Sequence, residues 1–186
     1  MSIDEIFSKM SVHMVKGMMV HEQLMNSYLF LGLKGYAACH EYHYLEETKG
    51  HLKLSKYCID HYSSLIKETF DRSDVPEIIP TSWFNFTQDT VDSNTRKQAM
   101  RAALDEWISW EQETKTLYED VYAELLSKNE IPFAEFVKEY ILDVEEEIVY
   151  AKNEKLAKSS MDFDIVSILE EQEEYERSFK HKIRKG

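Results

Sequence analysis

Four stretches of the chain repeat apolar residues at the three- and four-residue spacing of an α-helix, and each stripe is broken by charge near its middle. The first stripe, Val15, Met18, Glu22, Met25, Leu29, Gly32 and Tyr36, admits only Glu22. The second holds Tyr44, Glu47, His51, Leu54, Cys58 and Leu65, with a carboxylate and an imidazole spaced to share one helical face. The third is Met100, Leu104, Trp107, Glu111, Thr114, Tyr118, Val121 and Leu125, and the fourth Phe133, Val137, Tyr140, Val144, Glu147 and Ala151. Burying such charges without partners is costly. The fold must therefore expose them or bring them together around something that neutralises them.

Length and composition narrow the class. The 186 residues suit one domain, and 43% hydrophobic and 31% charged residues with only 5 Gly and 3 Pro read as nearly all-helical. A net charge of −13 argues against a nucleic-acid partner, because phosphate contacts need clustered Lys and Arg. Cys39 and Cys58 form neither a metal nor a redox motif, which fits reduced thiols in the cytoplasm. The opening Met1-Ser-Ile-Asp-Glu-Ile-Phe is acidic where a signal peptide is basic. The apolar run from Val12 to Leu33 is interrupted by Lys16, His21, Glu22, Gln23 and Asn26, so it reads as a buried helix and no membrane partner is expected.

The pattern predicts helices over about 3–35, 41–69, 95–128 and 132–158, with Pro132 suited to the first turn of the fourth. A short turn near 35–39 makes the first two antiparallel. From about 70 to 94 the helical period fails at Asp71, Asp74, Pro76 and Pro80 and in the aromatic run Trp83-Phe84-Asn85-Phe86, which is expected to pin this segment to the bundle. About 25 irregular residues is long for a simple connection. At about 3.3 Å per residue it is enough to cross the length of a bundle, which makes the second and third helices parallel. A terminal amphipathic helix over about 164–183 carries Ile165, Ile168, Leu169, Gln172, Tyr175 and Phe179 on one face, with Asp162 and Asp164 as candidate caps. It is suited to lie on the bundle or to make subunit contacts. The expected fold is all-α: one four-helix bundle domain over 1–186 with a long crossover between helices 2 and 3 and a fifth C-terminal helix.

Residues equidistant from a helical turn lie level. The midpoint of Glu22 and His51 falls between Tyr36 and Ala37, in the first expected turn, and that of Glu111 and Glu147 is Asn129, in the second. These are offsets of about 22 Å and about 27 Å at about 1.5 Å per residue. With the turns at opposite ends of the bundle, all four residues are expected to meet near its middle. Acids from facing helices with a His are the ligand set of a carboxylate-bridged pair of iron or manganese ions. Such a pair exchanges electrons with O2 or peroxide, which a zinc site cannot do.

With these residues in view, the sequence resembles the ferritin-like superfamily, and within it the bacterial non-haem ferritins, over roughly Met14 to Leu156. Trp110-Glu111-Gln112-Glu113-Thr114 is similar to the family's third-helix motif. Phe136-Val-Lys-Glu-Tyr140-Ile-Leu-Asp-Val144-Glu-Glu-Glu147 is similar to its fourth helix, and Met19-Val-His-Glu22-Gln-Leu to its first. The resemblance implies a di-iron carboxylate protein that binds and oxidises Fe(II), for iron storage in a homo-oligomer. Glu22 and His51 would be terminal ligands of one metal, Glu47 the bridge, and Glu111 and Glu147 ligands of the second. The chain departs from the pattern in three places. Thr48, not a Glu, stands three before His51, so a π-bulge is needed to bring Glu47 into the bridging place. Val144 replaces a Gln or Glu, and Leu29 stands where a Tyr seven after Glu22 is expected. The alternative is a metal-free ferritin-like structural or interaction protein, its acids paired with Tyr44, Tyr62, Tyr118 or Tyr140. Of the other histidines, His40, His43 and His61 share the second helix but do not join the Glu47–His51 stripe, and His13 and His21 read as polar spots at helix contacts.

Overall fold

The computed structural model describes residues 1–69, 71, 75 and 91–185. They form five helices: α1 (Ile3–Phe30), α2 (Lys34–Tyr62), α3 (Ser93–Ser127), α4 (Ile131–Ser160) and α5 (Ile165–Lys185). Pro76, Pro80, Asp74 and the Trp83–Phe86 aromatics lie outside the described residues.

Most helices begin where a local group answers their free N–H groups. Ser2 and Glu5 form a reciprocal capping box on α1. Asp92 accepts from Thr95 N at 2.7 Å on α3, and Asp164 accepts from Ser167 N at 3.1 Å on α5. Asp162, the other expected cap, instead pairs with Lys97 and Arg101. Leu33 gives α2 no side-chain cap, and the acceptor comes from α5: Gln172 Oε1 takes hydrogen bonds from Gly35 N at 2.8 Å and Tyr36 N at 3.3 Å.

The core shows the topology. At one end Ile6, Phe7 and Met10 of α1 pack with Leu54 and Cys58 of α2, Val121 and Leu125 of α3, and Phe133 of α4. The Phe7 and Phe133 rings stack there at 4.4 Å. At the other end Leu24, Tyr28, Tyr36, Met100, Leu104 and Ala151 join Ile165, Ile168 and Phe179 of α5. The starts of α2 and α3 thus share an end, so these helices are parallel. Leaving α2, the chain turns at Ser63 (φ 51°) and comes back beside α1, where Ser8 Oγ donates to the Lys67 carbonyl at 2.6 Å.

The third and fourth helices match their sequence pattern. All eight residues of the expected α3 face are buried, Glu111 among them. The first hairpin differs. Gly32, at φ 77°, makes the turn, with Leu33 N donating to Tyr28 O at 2.8 Å, so α2 starts at Lys34 rather than near 41 and ends at Tyr62 rather than near 69. The inward face of α1 is Met10, Met14, Gly17, His21, Leu24 and Tyr28, one residue out of step with the expected stripe. Because α1 is apolar almost all round, its composition does not select one face.

Only glycine takes the Gly32 conformation without strain. Gly32→Ala is expected to cost about 1–2 kcal/mol, lowering the thermal midpoint by about 2–8 °C. An unchanged midpoint in a calorimetric melt would count against this turn.

Candidate metal centre

Between the two apolar clusters lies a polar layer. α1 contributes His21, α2 His40 and His43, α3 Glu111 and α4 Glu147. His21 and Glu111 are each 1% exposed, and the Glu147 side chain is 25% exposed at the edge of the layer. One donor atom each from His21, Glu111 and Glu147 lie within 4.8 Å of one another, a group found once among the described residues. His21 Nε2 stands 3.5 Å from Glu111 Oε1, His43 Nδ1 is 3.0 Å from Glu147 Oε2, and the Nδ1 atoms of His21 and His40 are 3.1 Å apart.

The Gly32 turn explains why these residues meet. His21 and His43 are equidistant from it, and their rings stack at 5.4 Å. On α2, Tyr36, His40, His43 and Glu47 recur at four, three and four residues, which places them on the inward face together. Helix α2 is regular from Lys34 to Tyr62, so Glu47 reaches the layer's edge without a π-bulge. Val144, beside Glu147, is buried apolar packing.

The expected site residues therefore divide. The structure brings Glu111, Glu147 and Glu47 together. It leaves Glu22 exposed, because one residue of helix turns a side chain by about 100° and His21 takes the inward place. His51 lies eight residues beyond His43, about 12 Å along α2. There its Nε2 is 2.6 Å from Glu68 Oε1 and 2.8 Å from Ser11 Oγ. The sequence signal for His21 and His43 was their spacing: Tyr28 stands seven after His21, the Tyr spacing sought after Glu22, and His40 and His43 are three apart, as the family's Glu and His are. Two of the tyrosines expected to pair with these acids bond elsewhere: Tyr140 donates to Gly50 O at 3.0 Å and Tyr62 to Glu130 at 2.9 Å.

Burial and the charges of neighbouring groups set the electrostatics of this layer. Burial, then the neighbouring Glu147 and Glu47 carboxylates, push Glu111 well above the usual carboxylate range. Burial and Glu147 push Glu47 up to about 8. Burial opposes ionisation of Glu147 too, but the His43 charge prevails and holds it below its ordinary value. Burial would lower His43, yet Glu147 and then Cys39 keep it well above the imidazole range, whereas burial and His43 lower His21 to about 3. Glu111 Oε1 and His40 Nε2 have no directed hydrogen bond among the described residues. An orphaned buried Glu111 oxygen and the His21 imidazole, both within 4.8 Å of a Glu147 oxygen, suit a transition-metal ion.

A cleft of about 520 Å³ connects the layer to the surface between α2, α4 and α5. Glu47, Glu147, His43, Tyr118 and Tyr140 form its inner wall, and Glu46, Asp143 and Glu146 stand among its outer residues with Lys49, Lys53 and Lys182.

A four-helix bundle with one long crossover and an inward layer of Glu and His defines the class. Solved structures place it more closely. The chain superposes on a humanized archaeal ferritin at TM-score 0.74 and 12% identity, covering 95% of this chain and 97% of that one. It superposes on a closed form of the Archaeoglobus fulgidus ferritin engineered by site-directed mutagenesis at 0.75 and 15%, covering 95% and 96%. An open pore ferritin from the same hyperthermophilic archaeon matches at 0.73 and 15%, covering 94% and 98%. The fold is ferritin-like. These matches are archaeal and do not single out the bacterial branch. No protein-family model and no curated protein matches the sequence. Among the described residues no helix is long and apolar enough to cross a membrane.

With Glu47 pushed up to about 8, its carboxyl holds a proton near pH 7 in the metal-free protein, and burial shifts Glu111 in the same direction. Metal binding is expected to release about one proton or more per ion. Calorimetric titration in two buffers of different ionisation enthalpy reads this directly, and identical heats in both would contradict it.

Proposed function

We propose that the protein is a ferritin-like metal-binding protein that takes up Fe(II) at the layer of His21, Glu111 and Glu147. The observation that carries this reading is the convergence of one donor atom each from His21, Glu111 and Glu147 within 4.8 Å of one another, with His21 and Glu111 each 1% exposed. His43 and Glu47 would extend the ligand set toward the cleft, with Glu147 shared between the two groups. Manganese is the second ion this donor set suits.

Iron here is cargo and substrate. Fe(II) would enter by the cleft, whose outer residues balance Glu46, Asp143 and Glu146 against Lys49, Lys53 and Lys182, toward the Glu47 and Glu147 carboxylates on its inner wall. Carboxylates favour Fe(III) over Fe(II), so the layer would promote electron transfer from iron to O2 or peroxide. Storing iron in quantity needs an enclosed volume that one bundle lacks, so the storage reading carries a homo-oligomer, in the cytoplasm. The alternative, a metal-free structural or interaction protein, is favoured by the His43–Glu147 ion pair at 3.0 Å, which neutralises one carboxylate and leaves Glu111.

Anaerobic Fe(II) titration followed by exposure to air tests the reading through stoichiometry and ferric absorbance. Glu111→Gln and Glu147→Gln are each expected to weaken Fe(II) binding about tenfold or more. Glu22→Gln and His51→Gln are expected to bind as the unaltered protein does. Absence of Fe(II) uptake by the unaltered protein would sink the proposal and leave the metal-free alternative.

A further inference from the structure

Gly17 sits in the middle of α1, where glycine costs about 0.8–1 kcal/mol relative to alanine. Its backbone is ordinary helix, since Gly32 is the described glycine with positive φ, so no turn requires it. What requires it is space. A Cβ at Gly17 would lie 2.6 Å from Glu47 Oε1, 2.9 Å from its Cδ and 3.4 Å from its Cγ. No real side chain keeps a carboxylate at the first two distances.

The placement concerns the candidate centre directly. Gly17 is one turn from His21 on the same face of α1, and Glu47 is one turn from His43 on α2. Glu47 is half-buried, lines the cleft, and lies close enough to Glu111 and Glu147 for their charges to act on it. A flexible Glu displaced from the notch can swing outward into the cleft that it lines.

We propose that Gly17 is a positioning residue for metal binding: its missing side chain is the notch that holds the Glu47 carboxylate in the layer rather than in the cleft. The inference rests on the Fe(II)-binding reading above and adds a residue that carries no donor atom. It predicts an unusual pair of effects from one methyl group. Gly17→Ala should leave the metal-free protein as stable or more so, because alanine favours helix, while weakening its hold on metal.

The experiment pairs thermal melts of metal-free protein with anaerobic Fe(II) calorimetry on the full chain. Gly17→Ala is expected to bind Fe(II) about 10–100-fold more weakly, with a metal-free midpoint unchanged or raised. Glu47→Gln should show a similar loss, and the Gly17→Ala/Glu47→Gln double variant no further one, because both act on the same carboxylate. Gly17→Ala binding Fe(II) as tightly as the unaltered protein overturns this inference alone. No Fe(II) binding by the unaltered protein overturns it together with the function. Should Gly17→Ala melt early, Gly17→Ala/Glu47→Ala must recover the midpoint of Glu47→Ala. Failure to recover would mean that the notch serves another neighbour, and the inference falls.

Discussion

The burial of Glu111 opposite Glu147 is the constraint on which the rest of the bundle depends. A carboxylate taken out of water loses several kcal/mol of hydration unless charge or hydrogen bonds replace it. Here three helices other than its own supply what surrounds it: His21 from α1, His43 from α2 and Glu147 from α4. Apolar clusters close the layer on both sides, Leu24, Trp107 and Ala151 toward one end and Met14, Val144 and Ile148 toward the other. A slip of α4 by one turn would put Val144 or Ala151 in place of Glu147 and leave Glu111 facing hydrocarbon. The layer therefore helps to fix the height of α4 against α3.

Much of this was legible in the sequence, and the reasons differ by helix. In α3 and α4 the apolar residues fall on one side, so Glu111 and Glu147 stood out and Asn129 correctly marked the second turn. The parallel course of α2 and α3 followed from the length of the irregular segment. The first hairpin was harder to read. With apolar residues all round α1, the stripe through Glu22 and the one through His21 score alike, and only the partner helix decides between them. The turn was assigned near Gly35–Cys39, where small residues cluster, whereas Gly32 makes it and those small residues pack inside α2. That error slid α2 along α1, exchanged His43 for His51, and made Glu47 look as though it needed a bulge. Glu68, which occupies His51, comes from the segment after α2, and no helical spacing could announce it.

The fifth helix does more than cover an apolar face. Glu171 pairs with the buried Lys158 of α4, Tyr175 packs on Tyr36 at 5.2 Å, and Phe179 with Lys182 forms one side of the cleft. Arg101 of α3 lies over Phe163 at 4.7 Å while pairing with Asp162, which ties the turn before α5 to the bundle end. The cleft that leads to the candidate centre is thus bounded by three helices of the bundle and one outside it.

The Gln172 cap on α2 has a further consequence for how the chain is assembled. The acceptor for the first N–H groups of α2 lies 137 residues downstream. No fragment that stops short of α5 holds a finished first hairpin, and the contact that completes it is among the longest-range ones between described residues, the kind that chain-closure entropy delays. During synthesis the start of the helix that carries His40 and His43 must wait for this cap until α5 has emerged.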